Sequence, residues 1–129
     1  MLTLPPSVRI YFATTPIDMR CSFRGLSGAV RQRLAEDPLS GHLFCFTNKN
    51  RTLLKILFYD RTGYAIFYKR LSKGTFQLPE AAAGQPAVRI NAGQLAMLLE
   101  GIDLRGVKQR LRHHHDPHTP AHSAPCPRT

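Results

Sequence analysis

The stretch LLKILFYDRTGYAIFYKRLSKG, Leu53 to Gly74, sets the strongest limit on what this chain can fold into. Its two apolar runs flank Asp60-Arg61-Thr62-Gly63. Asp suits the first position of a turn, and Gly63 tolerates the positive φ that often closes one. A chain that reverses this sharply returns antiparallel to itself. Upstream, HLFCFT (His42 to Thr47) also reads as a strand and reaches the first run through Asn48-Lys49-Asn50-Arg51. Neighbouring strands joined by such short loops make an antiparallel meander.

If Tyr59 pairs with Tyr64, the alternation of side chains divides the meander into two faces. Leu54, Ile56 and Phe58 with Ala65 and Phe67 form the natural core face. Leu53, Lys55, Leu57 and Tyr59 with Tyr64, Ile66, Tyr68 and Arg70 form the other, where Phe44 and Phe46 join them. Rings interleaved with cations suit a nucleic-acid platform. That much apolar surface equally suits cover by another element or by a partner. The sequence leaves both readings open.

The flanks supply the remaining elements. SVRIYFATT alternates Val8, Ile10 and Phe12 with Arg9 and Tyr11, the period of a half-buried strand. From Ser22 to Glu36, Phe23, Leu26, Val30 and Leu34 recur at helical spacing, with Asp18 or Ser22 as the source of the capping oxygen. Asp37-Pro38 and Ser40-Gly41 end that helix. SKGTFQLPE is expected to continue as a short edge strand, AAAGQPA to link, and VRI to form a strand. In NAGQLAMLLEGID, Asn91 and Gln94 stand at capping-box spacing, Leu95, Leu98, Leu99 and Ile102 share one face, and Gly101 lies near the end. After Leu104 the chain turns basic, then His- and Pro-rich, with almost no apolar residues. That is the composition of a disordered tail.

A chain of 129 residues has room for one domain, here residues 1–105, followed by the tail over 106–129. Its 18 Lys and Arg against 8 Asp and Glu give a formal charge of +10, a field that favours phosphate polymers or anionic surfaces. Cys21, Cys45 and Cys126 are odd in number and show no CxxC spacing, which reads as a reduced, cytoplasmic protein rather than a disulfide framework. No stretch approaches the ~18 uninterrupted apolar residues of a membrane span, and the first residues lack a signal-peptide pattern. No membrane is expected among the partners.

Catalysis finds little support. Asp18, Glu36, Asp37, Asp60, Glu80, Glu100, Asp103 and Asp116 are scattered over turns and helix ends, whereas two-metal phosphoryl chemistry needs carboxylates converging on ions ~3.5–4 Å apart. A cryptic nuclease would require at least three of these acids to converge, with Asp18 and Asp60 the first to inspect. His42 and Cys45 on one strand would point to opposite faces and cannot form a dyad. There is no P-loop and no GxGxxG. His113, His114 and His115, with His118 and His122, lie in a Pro-rich context that suits adventitious metal binding rather than a built site. No catalytic residue, metal ligand or cofactor is expected.

The basic residues carry more information. Arg20, Arg24 and Arg31 form one stripe if the first helix begins by Met19. Lys49, Arg51 and Arg61 lie in the loops of the meander, and Lys69, Arg70 and Lys73 at its exit. For a DNA-binding surface the phosphate contacts would come from Arg20, Arg24, Lys49, Arg51, Arg61, Lys69, Arg70 and Lys73, with Tyr64 and Tyr68 as secondary candidates.

Several uncommon strings coincide in order and spacing: TPIDMRCSFRGL, DPLSGHLFCFTNKNRTLLKILFYDRTGYAIFYKRLSKGTFQLP and LAMLLEGIDLR. Over about residues 6 to 105 the chain resembles the TnpB accessory proteins encoded by the second reading frame of bacterial insertion sequences of the IS sixty-six family. The chain departs from that pattern at Cys21-Ser22-Phe23, where a Lys-Gly-Phe-like string is usual, and in having no Trp. The resemblance implies a non-catalytic factor that acts beside a separate, larger transposase of the same element.

The expected fold is therefore α+β, an antiparallel sheet with the first helix on one face and the last helix closing an edge or the other face. The expected function is binding of element DNA, of the transposase, or of both, in the cytoplasm and on the nucleoid when DNA-bound. The rival is a protein-interaction or self-association module whose second sheet face docks on the transposase or on another copy. An exposed patch of Phe44, Phe46, Leu57 and Ile66 would favour the rival, and a basic groove over residues 48–51 and 69–73 would favour DNA.

Overall fold

The computed structural model of the chain describes residues 7–80 and 84–101. Ile102, the basic and histidine-rich tail and Cys126 lie outside the described residues. The elements run β1 (Ile10–Ala13), α1 (Phe23–Arg33), β2 (Leu43–Thr47), β3 (Leu53–Tyr59), β4 (Tyr64–Arg70), β5 (Ala87–Ile90) and α2 (Ala92–Leu99). All five strands share one sheet in the order β4-β3-β2-β1-β5.

The meander folds in the register its turn dictates, with Tyr59 opposite Tyr64 and Leu53 opposite Arg70. The sheet as a whole is mixed, not antiparallel throughout. β1 lies parallel to β2, Ile10 opposite Leu43, because a strand that crosses over through a helix returns in its original direction. β5 closes the other side antiparallel to β1. The class is α+β, as the order of elements implies.

Both faces of the sheet are covered. On one, Ile10, Phe12, Leu43, Cys45, Leu54 and Ile56 pack with Leu95, Leu98 and Leu99 of α2 and with Phe76. On the other, Tyr11, Phe44, Phe46 and Leu57 pack with Leu26, Ala29 and Val30 of α1 and with Ile17 and Cys21 before it. Phe44, Phe46 and Leu57 are completely buried, and Ile66 packs partly buried beside them. The second face of the meander is thus a packing face, and the patch that would have marked a docking module is core.

SKGTFQLPE does not continue the sheet. Phe76 is fully buried in the α2-side core and its N–H donates to the Arg51 carbonyl at 2.7 Å. Burial of that ring holds the segment across the sheet end in irregular form. The last helix starts as its residues predict: the Asn91 side chain accepts from Gln94 N–H, and the Gln94 side chain accepts from Asn91 N–H. It ends at Gly101, whose φ of 82° lies in the left-handed region that glycine adopts freely.

α1 begins at Phe23, later than a start by Met19, so Arg20 is not helical and the proposed stripe of Arg20, Arg24 and Arg31 does not form. Neither expected cap operates. Ser22 holds the N-cap position without a side-chain hydrogen bond, while Asp18 is engaged by Arg20. Its carboxylate accepts from the Arg20 backbone N–H at 2.9 Å and from the guanidinium at 2.6 Å. What docks this segment is Lys55. Its ammonium, brought in from β3, donates to the carbonyls of Met19 at 2.8 Å and Cys21 at 2.6 Å and lies 4.8 Å from the centre of the Tyr68 ring. Burial lowers the Lys55 pKa, and the Asp18 charge opposes that shift.

Two outcomes follow. Lys55→Met removes both bonds and leaves two carbonyls without their donor, so stability in urea at neutral pH should fall by about 2 kcal/mol. The Arg20 contacts hold the Asp18 carboxyl below its ordinary range. Its contribution is therefore complete above the unfolded value, near ~3.9, and is lost as pH falls through the depressed folded value. Asp18→Asn should lower the denaturation midpoint at neutral pH and flatten its decline in acid. An unchanged acid profile would refute this.

Candidate nucleic-acid interface

The β2–β3 turn is built by one side chain. The carboxamide oxygen of Asn48, a residue 3% exposed, accepts from the N–H groups of Thr52 and Leu53 at 2.9 and 3.0 Å, and its Nδ2 donates to the Thr52 hydroxyl at 3.0 Å. This cage fixes the exposed residues Lys49 and Arg51 on a rigid loop, with Arg51 at a left-handed φ of 62°. Such a conformation costs a non-glycine residue about 1 kcal/mol or more and persists only where neighbours enforce it. Here the Arg51 carbonyl is held by Phe76 and the Thr52 carbonyl by the N–H of Leu71, at 3.0 Å.

Those two bonds lay the exit of β4 along the β2–β3 turn. Lys49, Arg51, Arg70 and Lys73, all exposed, consequently share one end of the sheet. Next to them lies a cleft of about 270 Å³ lined by Phe12, Thr14, Arg51, Gln77, Glu80 and Val88 among others. The sequence carries no signal for this cleft, because its walls come from β1, the β2–β3 turn, the irregular segment and β5.

The other candidates fall elsewhere. Arg61 occupies the β3–β4 turn at the opposite end, where Asp60 Oδ1 accepts from Thr62 and Gly63. Arg24 is exposed on the first turn of α1. Arg20 stands in the loop before α1, its side chain 79% exposed but paired with Asp18. Lys69 is turned to the α2 side and donates to the Leu99 carbonyl at 2.7 Å, a cation on a helix C-terminus. Tyr64 is half-buried edge-on to Tyr59, ring centres 5.4 Å apart, whereas Tyr68 is 53% exposed. Lys55, central to the sequence-based platform, is 8% exposed and spent inside the fold.

The reactive side chains are dispersed. Cys45 is buried and free, its thiol pushed far up by burial. His42 accepts from the Arg9 N–H at 3.0 Å through Nδ1. Asp18 and Asp60 are each tied to their own loops. Among the described residues, no group of three or more His, Cys, Asp or Glu side chains comes together. No helix among the described residues is long and apolar enough to cross a membrane.

Comparison with known proteins covers nearly the whole described chain. The uncharacterized protein y4hO of Sinorhizobium fredii is 40% identical over 112 residues, spanning 87% of this chain and 96% of the relative. A second uncharacterized protein of that organism, y4jC, is 31% identical over 103 residues, 80% of this chain and 86% of the relative. No solved structure matches. The family described as IS66 Orf2 like protein matches residues 8–109. The resemblance read from the residue strings is borne out, and this chain belongs to the IS66 Orf2 like family.

Proposed function

We propose that this protein is a non-catalytic accessory factor of insertion-sequence transposition that grips element DNA through the basic end of its sheet. The observation that carries the reading is the meeting of Lys49, Arg51, Arg70 and Lys73 around two loops tied together by backbone hydrogen bonds. Cations on a rigid frame neutralise phosphates at lower entropic cost than cations on mobile loops. The net charge of +10 would steer the chain to its polyanion from a distance. Family membership supplies the setting, an insertion sequence, and in this reading the strand chemistry belongs to a separate transposase.

Of the remaining cations, Lys69 serves the fold and Arg20 is compensated by Asp18, so neither is assigned to phosphate. Phosphate contacts alone give little sequence preference. Selectivity for element ends would come from groups in the neighbouring cleft or from the transposase.

The test is a titration of the full chain with duplex DNA at several salt concentrations. Replacing Lys49, Arg51, Arg70 and Lys73 together by Ala should weaken binding by at least tenfold. It should also reduce the slope of log K against log salt by roughly 3 to 4. Arg61→Ala, at the far end of the sheet, should leave both unchanged. Equal affinity and slope for the fourfold variant and the native chain would refute the assignment.

A further inference from the structure

The sheet has two edges, and they are unlike. β5 offers four residues preceded by Pro86, a short edge of the kind that resists pairing. β4 offers seven, with neither proline nor glycine. Its bonds to β3 can be placed from its ends: Leu71 N–H donates to the Thr52 carbonyl, and Asp60 N–H to the Gly63 carbonyl. Antiparallel ladders alternate bonded and non-bonded pairs, so Ala65, Phe67 and Lys69 face β3 with their backbone groups. Tyr64, Ile66, Tyr68 and Arg70 therefore direct N–H and C=O away from the sheet. β4 is the terminal strand of the order, so among the described residues no strand receives them.

We infer that β4 is the self-association surface of this protein, pairing antiparallel with β4 of a second copy across a two-fold axis at Phe67. This register matches every outward residue with another outward residue: Tyr64 with Arg70, and Ile66 with Tyr68. The side chains agree with it. The Arg70 cation of one copy meets the Tyr64 ring of the other, Ile66 meets Tyr68 as a β-branched and aromatic pair, and Phe67 meets Phe67 on the opposite face. Charge selects the direction. Antiparallel pairing holds the two Arg70 side chains roughly 20 Å apart, six residues at strand rise, and sets each basic exit toward the β3–β4 turn, where Asp60 and Arg61 balance. Parallel pairing would set Lys69 and Arg70 of one copy beside those of the other. The pairing stands independently of the proposed DNA grip, with which it shares only Arg70: Lys49, Arg51 and Lys73 lie in loops beyond the paired strand.

Light scattering of the full chain should give twice the 14.5 kDa chain mass. Tyr68→Pro removes an outward N–H, at a position where edge strands accept proline, together with the ring that lies 4.8 Å from the Lys55 ammonium, and should raise the dimer dissociation constant at least tenfold while retaining the circular dichroism of the native chain. Phe67→Cys should give, on mild oxidation, a covalent dimer whose bridging peptide joins residue 67 to residue 67, and this readout decides the matter if the proline variant does not fold. A native chain that stays monomeric at its highest soluble concentration would overturn the proposal. So would a dimer that survives Tyr68→Pro and yields no link at residue 67.

Discussion

The fold depends on a central pair of strands that are apolar on both sides. In β2, Phe44, Cys45 and Phe46 are all fully buried although adjacent side chains point to opposite faces. Such a strand is unstable unless both faces are covered, and among the described residues two short helices and one irregular segment do so. α1 takes one face, and α2 with Phe76 takes the other. The crossover through α1 then makes β1 parallel to β2, and the segment after β4 must fold back over the sheet. A covering element lost from either side would expose aromatic surface that the rest of the chain cannot hide.

How much of this is readable from residues alone depends on range. The β3–β4 register follows from Asp60 to Gly63 and the period of two, and the Asn91–Gln94 capping box is equally local. The start of α1 is not, although its residues are neighbours. Arg20 competes for Asp18 at 2.6 Å, and the tether that decides where the helix begins comes from Lys55, far along the chain. Lys55 also shows how alternation misleads. A cation between apolar neighbours reads as surface, but a strand with two covered faces has no solvent side at that point, so the ammonium turns to backbone carbonyls. Lys69, drawn to the end of α2, is lost from the basic exit for a comparable reason.

The basic end of the sheet illustrates the opposite outcome. Lys49 and Arg51 lie in one loop and Arg70 and Lys73 at the end of β4 and just beyond it, yet two backbone bonds suffice to join those segments. The Asn48 cage and the buried Phe76 ring belong to the stability of the fold, and they also determine where these cations stand. Family membership describes the setting of the chain, an insertion sequence.

Cys45 gives the same core an experimental use. Its sulfur is wholly enclosed in the middle strand of the five-stranded sheet and its thiol is held protonated, so a thiol reagent can reach it only when the sheet opens. The labelling rate at Cys45 therefore reports the population of opened molecules rather than surface chemistry. A built-in clock for sheet opening follows from a residue that plays no part in the proposed interface.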